Sequence, residues 1–207
     1  IHIERFLIEI RNLFLINFIE KNKAFLEFEM KFLISLGEQC FLNEYIFNET
    51  KKESDNIKKI MKLLDSGVIN DNLICITSCY LPLDYIKNYI QKFSSKNKDI
   101  LNLIRVQISE QVQESRIKEK LKKIGEIVDN ISTKVRSQYE KNPYPRWKYS
   151  SYHSENKQAP IIAINREIYP NKINFNPLAE KTNVLIAGCG TGNQIIGAQR
   201  YINSKIT

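Results

Sequence analysis

The ten residues NVLIAGCGTG, 183–192, set an apolar run against a glycine-rich turn. Val184 to Ala187 is wholly apolar, as in a strand buried on both faces of a parallel sheet. Gly188, Gly190 and Gly192 then alternate with Cys189 and Thr191. Glycine takes positive φ without steric cost, so the chain can reverse sharply and its backbone can approach a ligand closely. The following NQIIGAQRYI reads as a helix from Asn193 to about Asn203, despite Gly197. A strand, a glycine turn and a helix together predict a phosphate- or nucleotide-facing crevice at the carboxyl end of a strand.

The glycine spacing discriminates between ligands. A dinucleotide turn needs G-x-G-x-x-G, and position 193 is Asn. A phosphate loop ends in Gly-Lys-Ser/Thr, and no lysine is present in the turn. What remains is G-x-G-x-G after an apolar strand.

Upstream the pattern is helical from residue 1 to about 140. Phe25, Phe28, Phe32, Leu36 and Cys40 step by three or four and predict one helix face. Gly37 within that helix costs about 1 kcal/mol relative to alanine and predicts a close helix crossing. Ile57, Ile60, Met61 and Leu64 form a second stripe that Gly67 should end. DNLICITSCYLPL, 71–83, reads as a short apolar helix ended or bent by Pro82. Leu101, Ile104, Ile108 and Val112 form a further stripe, and Ile117, Leu121, Ile124, Val128 and Ile131 another. These stripes are expected to be core, in a bundle able to fold alone. No fixed-period repeat is visible.

Five of the six prolines (143, 145, 160, 170 and 177) fall after residue 140, where periodicity disappears. Residues 141–181 therefore read as a connecting segment with extended pieces, and APIIAIN, 159–165, as a short strand. The expected organisation is a helical domain over 1–140, this proline-containing connection over 141–181, and the start of an α/β domain over 182–207.

Two blocks, KVRSQYEKNPYPRW (134–147) and NVLIAGCGTGNQIIGAQRY (183–201), resemble a bacterial family of class I S-adenosylmethionine-dependent methyltransferases, often fused behind tetratricopeptide repeats. GEQCFLNEYIF (37–47) and LIRVQISEQVQE (103–114) are similar to the helical region that precedes the catalytic domain in that family. The resemblance implies a mainly α N-terminal bundle followed by the first β-α unit of a Rossmann-like methyltransferase domain. It implies S-adenosylmethionine as cofactor and methyl transfer as the reaction of the intact protein. Gly188, Gly190 and Gly192 would floor the methionine side of the cofactor pocket, with Cys189 and Thr191 offering contacts. One departure is visible: an acid often stands two residues before the first glycine, and here that residue is Ile186. The acid that holds the ribose hydroxyls is expected roughly 20 residues past the glycines, so the chain reads as an inactive fragment. NPYPRW precedes the first strand rather than following the fourth, which separates it from the NPPY-type motif of amino-methylating enzymes. Tyr139, Tyr144, Arg146 and Trp147 are candidate lid residues over the pocket; the alternative is a proline-stiffened strap packed on the domain surface. No catalytic residue and no methyl acceptor is specified. An alternative function is a helical module that docks a protein partner or oligomerises.

The bulk numbers bound these readings. Against 23 acidic residues stand 31 basic ones, for a net charge of +8. The short clusters Lys51-Lys52, Lys58-Lys59 and 118–123 have acids among or beside them, so a solvated helical surface is expected rather than a nucleic-acid site. No CxxC pair occurs among Cys40, Cys75, Cys79 and Cys189, and His2 and His153 stand far apart, so no metal site is expected. Free, buried thiols at 75 and 79 fit a reducing, cytoplasmic compartment. No apolar run reaches the roughly 18 residues of a membrane span.

Overall fold

The structure, a computed structural model, describes residues 2–121, 128–141, 145–147, 157–174, 182–201 and 204–206. It is mainly helical and divides into two units, Ile1–Tyr144 and Pro145–Thr207.

The first unit is built around its most completely buried helix. Helices α1 (His2–Glu20), α2 (Glu27–Leu42), α3 (Lys51–Asp65) and α4 (Asp71–Ser78) come first. A 3₁₀ turn (Leu83–Ile86), α5 (Lys87–Ile90), α6 (Lys98–Ile104), a π turn (Arg105–Ser109), α7 (Glu110–Lys120) and α8 (Asn130–Lys141) follow. α4 packs against α2, α3, α6 and the 3₁₀ turn, and every residue from Leu73 to Ser78 is buried. Two of these are hydroxyl residues, and burying a hydroxyl without a partner costs on the order of 1–3 kcal/mol. Both bond back to their own helix instead: Thr77 Oγ1 donates to the Leu73 carbonyl at 2.6 Å and Ser78 Oγ to that of Cys75 at 2.7 Å. Asn70 caps the start of α4, its side-chain oxygen accepting from Leu73 N at 2.9 Å. α4 ends before Pro82, as the sequence predicts.

α3 carries a reciprocal cap. Thr50 Oγ1 accepts from Glu53 N at 3.2 Å while Glu53 Oε2 accepts from Thr50 N at 2.8 Å. Its stripe of Ile57, Ile60 and Leu64 is buried, and Gly67 closes it at φ +86°. Gly37 does mark a close crossing: a Cβ placed there would lie 2.0 Å from Ser78 Oγ.

Three stripes differ from expectation. In α2 the buried face is Leu33, Leu36, Gly37, Cys40 and Phe41, while Phe28 is exposed. Phe25 precedes the helix and is buried against α1, its ring 5.6 Å from Phe14 and 5.4 Å from Phe18. In α6 and the π turn, Ile100, Leu103 and Gln107 face inward, and Leu101 and Val112 are exposed. The wider π turn alters the 3.6-residue phase that the spacing assumed. It carries the buried Gln107, which accepts from Tyr45 Oη at 3.2 Å and Leu83 N at 3.1 Å and donates to the Gly37 carbonyl at 3.3 Å. The third, the stripe over α7 and α8, is not core: Ile117, Leu121, Val128 and Ile131 are all exposed, and Ile124 lies outside the described residues.

Among the described residues no helix is long and apolar enough to cross a membrane.

The second unit contains α9 (Pro160–Glu167), β1 (Thr182–Val184), α10 (Asn193–Ala198) and β2 (Ser204–Ile206). Residues 159–165 are thus not a strand. Pro160 at the first helical position, with φ preset for a helix, and an extended Ala159 before it start α9 instead. Asn165 holds the returning chain in two directions, donating to the Ile173 carbonyl at 3.0 Å and accepting from Ile173 N at 2.8 Å. β1 and β2 pair in parallel, Thr182 with Ser204, Asn183 with Lys205 and Val184 with Ile206, so α10 lies in the crossover between them.

Candidate functional site

The glycine turn sits between β1 and α10, and its conformation follows from its residues. The ladder ends at Val184; Leu185 and Ile186 pair with no strand among the described residues, and the chain turns at Ala187 and Gly188. Gly188, Gly190 and Gly192 have φ of +65°, +53° and +91°. All three occupy the region that a side chain makes costly. Gly192 is the residue before α10; its N–H donates to the Cys189 carbonyl at 2.9 Å and its carbonyl accepts from Ile195 N at 3.0 Å.

Backbone angle, not crowding, demands these glycines. A Cβ at Gly188 or Gly190 would meet nothing within 4 Å, and one at Gly192 only Ile195 Cδ1 at 3.9 Å. The turn therefore presents open backbone. Thr191 is exposed and Cys189 half-buried at its tip.

The apolar run that introduces the turn departs from expectation. β1 covers 182–184 rather than 184–187, and Leu185 is 76% exposed. Among the described residues no element covers that side of it, so the apolar composition is not matched by burial. The helix after the turn is also shorter than expected, ending at Ala198 rather than near Asn203. Tyr201 instead bridges in parallel to Gln158, whose N–H donates to the Arg200 carbonyl at 3.0 Å. With its side-chain oxygen turned to the guanidinium, Gln158 accepts from Arg200 Nε and Nη2 at 3.1 and 3.2 Å. Lys157 Nζ reaches the Gln199 carbonyl at 3.3 Å. Nothing in the local pattern of 157–158 signals this pairing, because it joins residues some forty positions apart.

A cavity of about 380 Å³ lies between residues 184–187 and α10, with Gln194, Arg200 and Tyr201 on its polar side. The three glycines do not line it. The structure therefore offers two distinct features here: an open backbone turn and, flanking it, a strand–helix groove.

Of the candidate lid residues, Tyr139 lies on α8 in the first unit and is 66% exposed. Arg146 is half-buried and Trp147 46% exposed in the second unit. Tyr144 lies outside the described residues.

The four thiols separate by environment. Cys40, Cys75 and Cys79 are fully buried and Cys189 is not. Burial raises all three buried thiols, Cys40 from 9.0 to about 11 even though the Arg11 charge works in the other direction. Because the folded values exceed the unfolded ones, this stability is fully present below pH 9 and is lost as pH rises toward 11. An aromatic disulfide reagent at pH 8 should titrate one thiol, Cys189, rapidly in the native chain and all four in denaturant. Rapid native reaction of two or more thiols would contradict the packing.

No protein-family model, curated protein or solved structure matches this chain.

Proposed function

We propose that the chain carries the methyl-donor turn of a Rossmann-like, class I S-adenosylmethionine-dependent methyltransferase domain, and that the full protein transfers a methyl group from that cofactor. The observation that supports this reading is the turn itself: three alternating glycines, each at positive φ, between a parallel strand and the helix that follows it. A sulfonium ligand with a charged amino-acid tail needs backbone at close range. Glycine at 188 and 190 leaves that approach open. The spacing disfavours a dinucleotide, for which Asn193 stands where the third glycine is needed. α10 has six residues, so its dipole is short and the turn's own backbone provides the binding surface. In this reading Cys189 and Thr191 contact the cofactor from the tip of the turn, and Arg146 and Trp147 belong to the segment that closes over it.

Calorimetric titration of the purified chain with S-adenosylmethionine tests the reading. Saturable binding is expected, weakened at least tenfold by Gly190→Val and abolished by Gly188→Val combined with it. A β-branched residue resists the positive φ, and its side chain fills the approach. Absence of saturable binding, or binding indifferent to both substitutions, would count against it.

A further inference from the structure

The first unit holds a cavity that its helices leave open, between the start of α4, the Met30 side of α2 and the loop over 91–97. Its volume is about 640 Å³, the size of a small-molecule site. The walls are held by bonds of their own. Asn72 Oδ1 accepts from Phe25 N at 3.0 Å, Ser95 Oγ accepts from Asn97 N at 2.9 Å, and Asn97 Nδ2 donates to Met30 Sδ at 3.5 Å. The lining separates by chemistry. Met30, Ile69 and Phe93 are half-buried and packed on the core. Asp71, half-buried at the start of α4, supplies a carboxylate, and Lys92 and Lys96, exposed on the loop, supply two ammonium groups. Among the described residues none of these three makes an ion pair, so the opposite charges stand apart rather than neutralising one another. The surrounding sequence strengthens the positive side: residues 85–98 hold Lys87, Lys92, Lys96 and Lys98 and no acid.

We propose that this cavity binds a nucleoside monophosphate whose base carries an amino group. The phosphate meets Lys92 and Lys96, the base stacks on the Phe93 ring beside Met30 and Ile69, and the amino group donates to Asp71. The proposal is independent of the methyl-transfer reading, whose glycine turn belongs to the second unit. The lining selects this ligand by elimination. Two unpaired cations on one loop suit a dianion. A bare inorganic anion, however, would leave the apolar wall in water and meet Asp71 as a like charge. An uncharged apolar ligand would take the carboxylate and both ammonium groups out of water without a partner, which is costly. A carboxylate accepts only, so the ligand must bring a donor. The separation of Asp71 from the lysines requires that donor to lie remote from the anionic group. An amino-bearing base joined to a phosphate through a sugar has this arrangement, with a flat ring for the apolar wall.

Calorimetric titration of the full chain with adenosine monophosphate at low salt is the test. Saturable one-to-one binding is expected. Inosine monophosphate, with a carbonyl oxygen where the amino group stands, should bind at least tenfold more weakly, and inorganic phosphate should show no saturable binding. Lys92→Ala with Lys96→Ala should weaken adenosine monophosphate at least tenfold while helical circular dichroism is unchanged, since both side chains are exposed. Asp71→Asn should reduce the preference over inosine monophosphate to twofold or less, because an amide can donate to the carbonyl. Should that variant fail to fold, the lysine pair still decides. Gly190→Val, in the glycine turn, should leave the binding unaltered. No saturable binding of adenosine monophosphate, inorganic phosphate binding as tightly, or binding that ignores the lysine pair or is lost with Gly190→Val would overturn the proposal.

Discussion

Replacing Glu53 with alanine is expected to destabilise the first unit by about 3–5 kcal/mol, because it leaves an unpaired charge in the core. Arg11 and Glu53 are each 1% exposed, with Arg11 Nη2 3.5 Å from Glu53 Oε1. The guanidinium also donates to the Asn48 carbonyl at 2.9 Å and the Cys79 carbonyl at 3.4 Å, and lies 4.2 Å from the centre of the Tyr80 ring. Glu53 accepts from Tyr80 Oη at 2.8 Å and completes the Thr50 cap. Alanine therefore removes the counter-charge of Arg11, the acceptor of Tyr80 and half of a helix cap together. Glu53→Gln keeps the shape and an acceptor but not the charge, and should cost less. Arg11→Met combined with Glu53→Leu should cost less than the sum of the single changes, since neither partner is then stranded. Urea unfolding at pH 7, with the slope checked for constancy, measures each. A loss below about 1 kcal/mol for Glu53→Ala would mean that the pair is solvated in solution and the network absent.

The second large effect is at Gly37, with the sign opposite to helix propensity. Alanine for glycine in an exposed helix gains about 1 kcal/mol. Here the new Cβ would sit 2.0 Å from Ser78 Oγ and 2.9 Å from Ser78 Cβ, and that hydroxyl is held by the Cys75 carbonyl. α2 and α4 would have to separate, which also loosens the bond from Gln107 to the Gly37 carbonyl. Gly37→Ala is therefore expected to destabilise by about 1–2 kcal/mol, and Gly37→Leu by about 3 kcal/mol or more. Ser78→Ala removes the nearest atom and should recover part of the loss in the Gly37→Ala background, seen as a favourable coupling in a double-mutant cycle. A stabilising Gly37→Ala would show that the helices do not meet at this point.

Both effects lie in the part of the molecule that the residue pattern describes best, yet the pattern reveals only one of them. Gly37 is an anomaly within an apolar helix, and an anomaly of that type has few causes. Arg11 and Glu53 look like surface residues. Arg11 stands between Ile10 and Asn12 in α1, two residues after Glu9, and Glu53 follows two lysines in the first turn of α3. Their burial results from two helices meeting 42 positions apart in sequence, for which neither segment carries a local sign.

Periodicity was least reliable where it seemed most regular. The run Ile117, Leu121, Val128, Ile131 has core spacing and is exposed. Apolar spacing states that a helix has a sticky face; it does not state what covers that face. The opposite error occurs at 159–165, where three isoleucines suggest a strand and Pro160 starts a helix. There the backbone constraint of one residue outweighs the β propensity of its neighbours.

The amino-acid sequence by itself determined the helices of the first unit, the stops at Gly67 and Pro82, the close approach at Gly37 and the glycine turn at 188–192. Each is a local matter of which backbone angles and which apolar spacing a few adjacent residues permit. Tertiary structure alone decided that Arg11 and Glu53 are buried together, that Gln107 links three segments through a π turn, that β1 pairs with β2 while Leu185 stays in solvent, and that the α7–α8 face is left uncovered. These depend on contacts between segments distant in sequence, where burial is set by what arrives from elsewhere in the chain.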